Sequence, residues 1–428
     1  MSEAPAQYRR DVGTLGVSFL VVNSVIGAGI FALPELLHAA VGTFAPWLLL
    51  GGAVLIGCVM VCFAALTSLT DRSGGPQRFV TDAFGSFPGF QIGWLFYFAR
   101  MLAHAANVTV LVAYAAAFWP ALGEGTPRSI AIISVIAALT LLNIVGIRRV
   151  VAVLGAITIG KLVPLIALIA LALVEGPAMG PLALPQFSAV EGVALAALYA
   201  FVGFEGATIP AGEARDPKRT MPRALMLSLA VVTLVYFGLQ YVYSSSPVAG
   251  TGSEAPLAAL ANVYAGNVGA LLIAATVIVS VLGNMTAGHI IGSRMTGAMA
   301  DDRLIPAWFG RLSRWRTPAN SIVFFGLAAM LFALSGTFVT LAVSGTLARL
   351  IVYMASIAAL PLLRRSLGLA PLTAATAIAG PVALALSLWA SLQSSREQWL
   401  LIGAFLVVGT ILFALARGQR AAWATRHG

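Results

Sequence analysis

Charge is scarce in this chain. Only 9% of its residues are Asp, Glu, Lys or Arg and 60% are hydrophobic, whereas a soluble domain carries about a quarter charged residues. With so little polar surface, 428 residues could not form a soluble protein built on many buried helices. Cysteine is nearly absent. The chain has two, Cys58 and Cys62, one helical turn apart in an apolar run. They could form a metal or redox pair, but two small apolar residues on a packed helix is the preferred reading. No His/Cys/carboxylate cluster stands at metal-ligand spacing, no glycine-rich loop would cradle a nucleotide, and no polar domain is evident. An ATP-driven pump or a membrane enzyme thus has no visible chemistry, and no cofactor is implied.

Long apolar runs fill the chain instead. Twelve recur along its length, roughly at 13–37, 44–70, 88–119, 128–146, 150–174, 191–211, 223–244, 267–296, 319–335, 338–363, 372–392 and 398–416. Each can span a bilayer core of about 30 Å. They are continuous rather than alternating, so the class expected is an all-α integral membrane protein. The first run is too long and too lightly flanked for a cleaved signal peptide, so it is expected to be retained.

The net charge of +10 invites a nucleic-acid reading, but its distribution argues against one. With both termini cytoplasmic, 20 of the 25 basic residues fall in inside segments and only Arg128 and Arg396 fall outside. This is the positive-inside pattern of an inner-membrane protein, and the expected partner of the basic loops is anionic lipid. The remaining three, Arg100, Lys161 and Arg349, lie within spans.

Two spans are interrupted. "VVNSVIGAGIFALPELL" at 21–37 carries Gly27, Ala28 and Gly29, with Pro34 downstream. "YAFVGFEGATIPAGEARDP" at 199–217 carries Gly203 and Gly206, with Pro210 downstream. One opens the chain and the other opens its second half, five spans later and therefore in opposite orientation. Matched interruptions of this kind point to an inverted-repeat transporter and to its binding site. Glycine costs about 1 kcal/mol against alanine in a helix interior, and an unwound segment at membrane depth needs partners for its backbone. A half-helix starting near Gly29 offers N–H groups to a carboxylate, and freed carbonyls suit an ammonium. An amino acid carries both. Close helix packing through small residues is the competing explanation.

Three motifs, "IGAGIFALP", "FVGFEGATIPAGEARDPKRTMPRAL" and "GAMADDRLIPAWFGRLSRWRTPANSI", resemble the signatures of the amino acid–polyamine–organocation transporters. The resemblance covers nearly the whole chain. It implies a leucine-transporter-type fold: a five-plus-five inverted repeat over 13–174 and 191–363, two extra helices over 372–416, and helices 1 and 6 unwound at mid-membrane. It also implies that a substrate carboxylate meets N–H groups of Gly27, Ala28 and Gly29. The ammonium would meet carbonyls of Val25, Tyr199, Ala200 and Val202. The aromatic residues Tyr199, Phe201 and Phe204 are candidates to gate or stack, with core packing as the commoner use of single aromatics in a bundle. A lysine on helix 5 stands in the sodium-independent branches where relatives bind sodium, and Lys161 resembles it.

Charges within spans are functional candidates. Lys161 lies eleven residues past Val150, about 16 Å at 1.5 Å per residue, too deep for easy snorkelling. Its ammonium is expected to reach the helix 1 break and polar groups such as Ser280 or Asn284, either exchanging a proton or acting as a fixed strut. Glu205 either binds a proton as a gate or tethers the break by accepting backbone N–H bonds. Arg100 and His104, one turn apart, are candidates for the side-chain pocket with Asn284. Arg100 would receive an acidic side chain or pair with Glu205. Arg349 and His289 read more readily as internal helix contacts, and Glu35 as the outer end of span 1. The expected function is a sodium-independent amino acid carrier, working by proton symport or exchange, with protons as the coupling ion. A polyamine carrier or a non-transporting receptor are the alternatives, and a channel lacks a polar stripe. The sequence leaves the oligomeric state open.

Overall fold

A bilayer offers backbone groups no partners, so an apolar run must satisfy them within itself. Each of the apolar runs accordingly contains helix in the computed structural model, which describes residues 13–69, 74–145, 150–176, 180–206 and 216–418. No strand occurs among these residues. Nine stretches among them are long and apolar enough to cross a membrane, and the shorter helical segments Thr14–Val25, Ile159–Val174 and Ala319–Ser335 are also apolar. Pro210, Gly146 and the basic residues Arg148, Arg149 and Arg215 lie outside the described residues.

The first span divides into α1 (Thr14–Val25) and α2 (Gly29–Val41), with residues 26–28 irregular between them. α3 (Ala45–Thr67) returns across the core. α4 (Gly75–Phe84) was not foreseen, because its stretch reads as a polar loop. Gly74 at φ 146° opens it and Gly85 at φ 95° ends it. Its apolar face, Pro76, Phe79 and Val80, is buried and packs against α5 (Ser86–Ala115) and α12 (Phe338–Ser366). The α4–α5 approach is tight enough that a Cβ on Gly89 would stand 2.7 Å from Thr81 Cα.

α5 is the centre of the bundle. Most of its side chains are buried, and it packs against α12, α4 and α10 (Pro256–Asp301). Gly266, at φ 62°, divides α10 into a short leading segment and a long helix. α6 (Gly125–Val145), α7 (Val150–Val174), α9 (Pro217–Ser244) and α11 (Ala319–Ser335) surround this centre. α13 (Ala374–Leu392) packs against α3 and α12, and α14 (Arg396–Leu415) against α5. The second interrupted span starts as α8 (Phe187–Tyr199), gives way to turns at 200–203 and continues as a tighter turn at 204–206.

Candidate functional site

The first break begins one residue earlier than glycine spacing suggests, at Ile26, and Gly29 is already the first residue of α2. Its backbone is satisfied piece by piece. The Ile26 N–H donates to Val22 O (2.9 Å) and Gly27 N–H to Val25 O (2.8 Å). Ala28 N–H donates to Asn107 Oδ1 at 2.9 Å. Asn284 Nδ2 donates to Asn23 O at 3.1 Å, and Asn107 Nδ2 donates to Asn284 Oδ1 at 2.9 Å, joining the two amides. Lys161 Nζ donates to the carbonyls of Ile26 (3.1 Å) and Asn23 (3.4 Å). Freed carbonyls thus meet side-chain donors, as burial of polar groups requires. The opening turn of α2 leaves the first N–H groups, from Gly29 and Ile30, without an intrahelical acceptor.

The second break turns on Gly203, at φ 115°, where a Cβ would sit 2.6 Å from Ser24 O. Only glycine permits both the conformation and that contact between the two broken spans. Gly203 N–H donates to Glu205 Oε2 at 2.9 Å. The Glu205 carboxylate also accepts from Tyr353 OH on Oε2 (2.7 Å) and from Arg349 Nε on Oε1 (3.0 Å). All three side chains are buried. Of the two alternatives for Arg100, a direct ion pair with Glu205 is not seen among the described residues. α12 supplies the partner instead, and Nε and Nη2 of Arg100 are sealed from solvent without a hydrogen-bond acceptor.

Between the breaks lies a cavity with room for about 60 Å³ of water centres. Its walls are Asn23, Ser24, Val25, Gly27, Ala28 and Gly29 from the first break and Tyr199, Val202, Gly203 and Glu205 from the second. Arg100 and Ala103 of α5, Asn284, Ala287, Gly288 and Ile291 of α10, and Arg349 of α12 complete it. On the Glu35 side, Tyr199 meets Phe338 edge-on, ring centres 5.8 Å apart. Phe338 lines a second, wider cavity of about 630 Å³ that also includes Glu35, Arg128 and Glu254. On the α4 side, Phe63, Phe204 and Tyr353 form a ring cluster with centres 5.4–5.5 Å apart, and Phe79 of α4 extends it.

Of the residues expected at the site, Val25, Gly27, Ala28, Gly29, Tyr199, Val202, Glu205, Arg100 and Asn284 border the cavity. Ala200 sits behind it against Gly29, and Phe204 turns into the ring cluster. Lys161 supports the first break from behind, bordering a lateral cavity with Ser280. His104 faces His289 and Phe325, ring centres 5.2 and 5.3 Å away, rather than the cavity. The reason is helical phase: successive residues turn by about 100°, so Arg100 and Ala103 face the cavity, Asn107 faces the first break beside it, and His104 is rotated off that face. Asn107 and Tyr353 are the residues about the site that sequence reasoning passed over, whereas Arg349, read as an internal helix contact, makes one with Glu205 at the cavity wall. Asn107 was accessible to it, as a buried-span amide two turns along the same face from Arg100.

Twin helix breaks, a small polar cavity between them and ring clusters on either side define a membrane carrier rather than an enzyme. The family comparison agrees: residues 12–413 match the amino acid permease family, and the chain belongs to it. It is 28% identical over 340 residues to the serine/threonine exchanger SteT of Bacillus subtilis, covering 74% of each chain. It is 28% identical over 333 residues to the cadaverine/lysine antiporter of Escherichia coli, covering 73% of this chain and 72% of that one. An uncharacterized transporter of Mycobacterium bovis is 30% identical over 345 residues, 78% of this chain and 76% of its own.

Proposed function

We propose that this protein is a sodium-independent amino acid exchanger of an inner membrane, working by alternating access around its two broken helices. The observation that carries the reading is the cavity bounded on both sides by helix-break backbone, residues 27–29 and 202–203. Backbone groups at such breaks recognise the α-carboxylate and α-ammonium common to all amino acids. In this reading the carboxylate docks at the N-terminus of α2, at Gly29 and Ile30, beside the Ala28 N–H that Asn107 holds in place. The ammonium docks at carbonyls of Val25, Tyr199 and Val202. The names of two relatives, an exchanger and an antiporter, favour exchange over proton symport.

Lys161 acts as a fixed cation at the first break, in place of a bound ion. Glu205 ties the second break to α12 through Arg349 and Tyr353. Twelve spans, arranged as an inverted repeat over 13–174 and 191–363 with two further helices over 372–416, give both termini a cytoplasmic location, in keeping with the basic loops. Uptake of labelled amino acids into proteoliposomes tests the reading. Trans-stimulated uptake supports it. Saturable binding without uptake would favour a receptor, and uptake of polyamines alone would favour an organic-cation carrier.

A further inference from the structure

The charges on the cavity wall do not balance. Among the described residues lining it, the charged ones are Arg100, Arg349 and Glu205. Both Glu205 oxygens are engaged, Oε1 by Arg349 and Oε2 by Tyr353 and Gly203 N–H. Arg100 is left over. One face of its guanidinium rests on the Phe96 ring, 4.8 Å from the centre. Its Nη2 lies against Gly206, where a Cβ would collide with it. Nε and Nη2 are sealed in with no acceptor.

A half-buried guanidinium with two nitrogens sealed in and unbonded is costly, and guanidinium pairs most strongly with a carboxylate, through parallel hydrogen bonds. Among the described residues no carboxylate is hydrogen-bonded to Arg100, because the nearby Glu205 is held by Arg349 and Tyr353, and the cavity is where a second one would come from. We infer that the cavity selects amino acids with an anionic side chain, aspartate or glutamate, and that Arg100 is the specificity-determining residue. The inference rests on the exchanger reading above, because the α-carboxylate and α-ammonium are assigned to the helix breaks. The side-chain carboxylate then neutralises Arg100, whereas a neutral side chain leaves the wall one positive charge in excess. A lysine or diamine substrate adds a second uncompensated cation and is rejected by like-charge repulsion.

The test is uptake into proteoliposomes preloaded with an equimolar mixture of unlabelled aspartate, glutamate, serine and lysine. Labelled aspartate, glutamate, serine, lysine and cadaverine are offered outside in separate reactions. The expected result is a kcat/KM for aspartate or glutamate roughly ten-fold or more above that for serine, the worth of one charge-assisted hydrogen bond, with lysine and cadaverine excluded. Arg100→Gln reverses the ratio in favour of serine, and Arg100→Lys keeps the acidic preference in weaker form. A native protein that prefers a neutral or cationic amino acid overturns the inference and leaves the exchanger reading standing. An Arg100→Gln variant with unchanged acidic preference also overturns it. If Arg100→Gln takes up nothing, loss of the acidic preference in Arg100→Lys overturns it. Absence of uptake of every amino acid by the native protein removes the transport reading, and this inference with it.

Discussion

The Lys161 ammonium lies 3.1 Å from the carbonyl oxygen of Ile26, a group that helix interruption sets free. α7 thereby holds the first break of the chain from behind, through hydrogen bonds from the Lys161 amine. An aliphatic side chain cannot replace that donor. Lys161→Ala should insert and fold, since an apolar residue in a bilayer interior is tolerated. Its initial uptake rate should fall roughly ten-fold or more, the equivalent of one hydrogen bond from a charged donor. Initial-rate uptake of the variant in proteoliposomes measures this, and an unchanged rate would remove Lys161 from the mechanism.

Asn107 holds Ala28 N–H and, through its own amide, Asn284. Asn107→Ala should weaken binding of all amino acid substrates together, roughly five- to ten-fold, as expected for one hydrogen bond worth about 1 kcal/mol. Equilibrium binding to the purified variant gives the value. Selective loss of one side-chain class would instead assign Asn107 to the specificity pocket.

Glycine at 203 answers to two constraints at once, positive φ and contact with Ser24 O. Gly203→Ala should cost about 1–3 kcal/mol in strain at the break alone and push the two broken spans apart. Lower thermal stability in detergent and loss of uptake are expected together. A variant as stable and active as the native chain would mean that the breaks need not approach.

The Glu205–Arg349 pair is buried on both sides, with side chains 0% and 5% exposed. Arg349→Met should lower stability by about 3–5 kcal/mol, because it strands the carboxylate. The double variant Glu205→Gln, Arg349→Met should recover most of that loss while transport stays impaired, since the second break is no longer tied to α12. Thermal unfolding and uptake on the same preparations separate the two effects. A double variant with native uptake would make the pair purely structural.

Which parts of this were legible in the sequence follows from how far each signal reaches along the chain. Apolar run length and the glycines at 27, 29, 203 and 206 are local, and they located both breaks to within a residue or two, while helix ends lie further off, as in α9, which starts at Pro217 rather than 223. Lys161 was legible because a lysine deep in an apolar run has few uses. The partner of Glu205 was not. Arg100 and Arg349 are equivalent candidates in sequence, and the choice between them depends on how α12 packs beside α8, a tertiary fact. His104 was misplaced because a one-turn spacing fixes a residue's face only to within tens of degrees. α4 was missed because Gly74, Gly75, Pro76 and Gly85 read as a loop, although those residues in fact delimit a ten-residue helix.

The central claim is that the cavity between the breaks carries amino acids across the membrane in exchange, without sodium. Counterflow tests it most directly. Proteoliposomes are loaded with a high concentration of unlabelled substrate, diluted into a trace of labelled substrate, and followed with sodium or choline as the sole external cation. The account predicts a transient accumulation of label, equal in the two cations and absent from Gly29→Val, whose added Cβ would stand 3.2 Å from Ala200 Cα and 3.3 Å from Tyr199 Cδ1 and push α2 away from the second broken span. Binding of label without accumulation, accumulation that requires sodium, or native counterflow in Gly29→Val would contradict it.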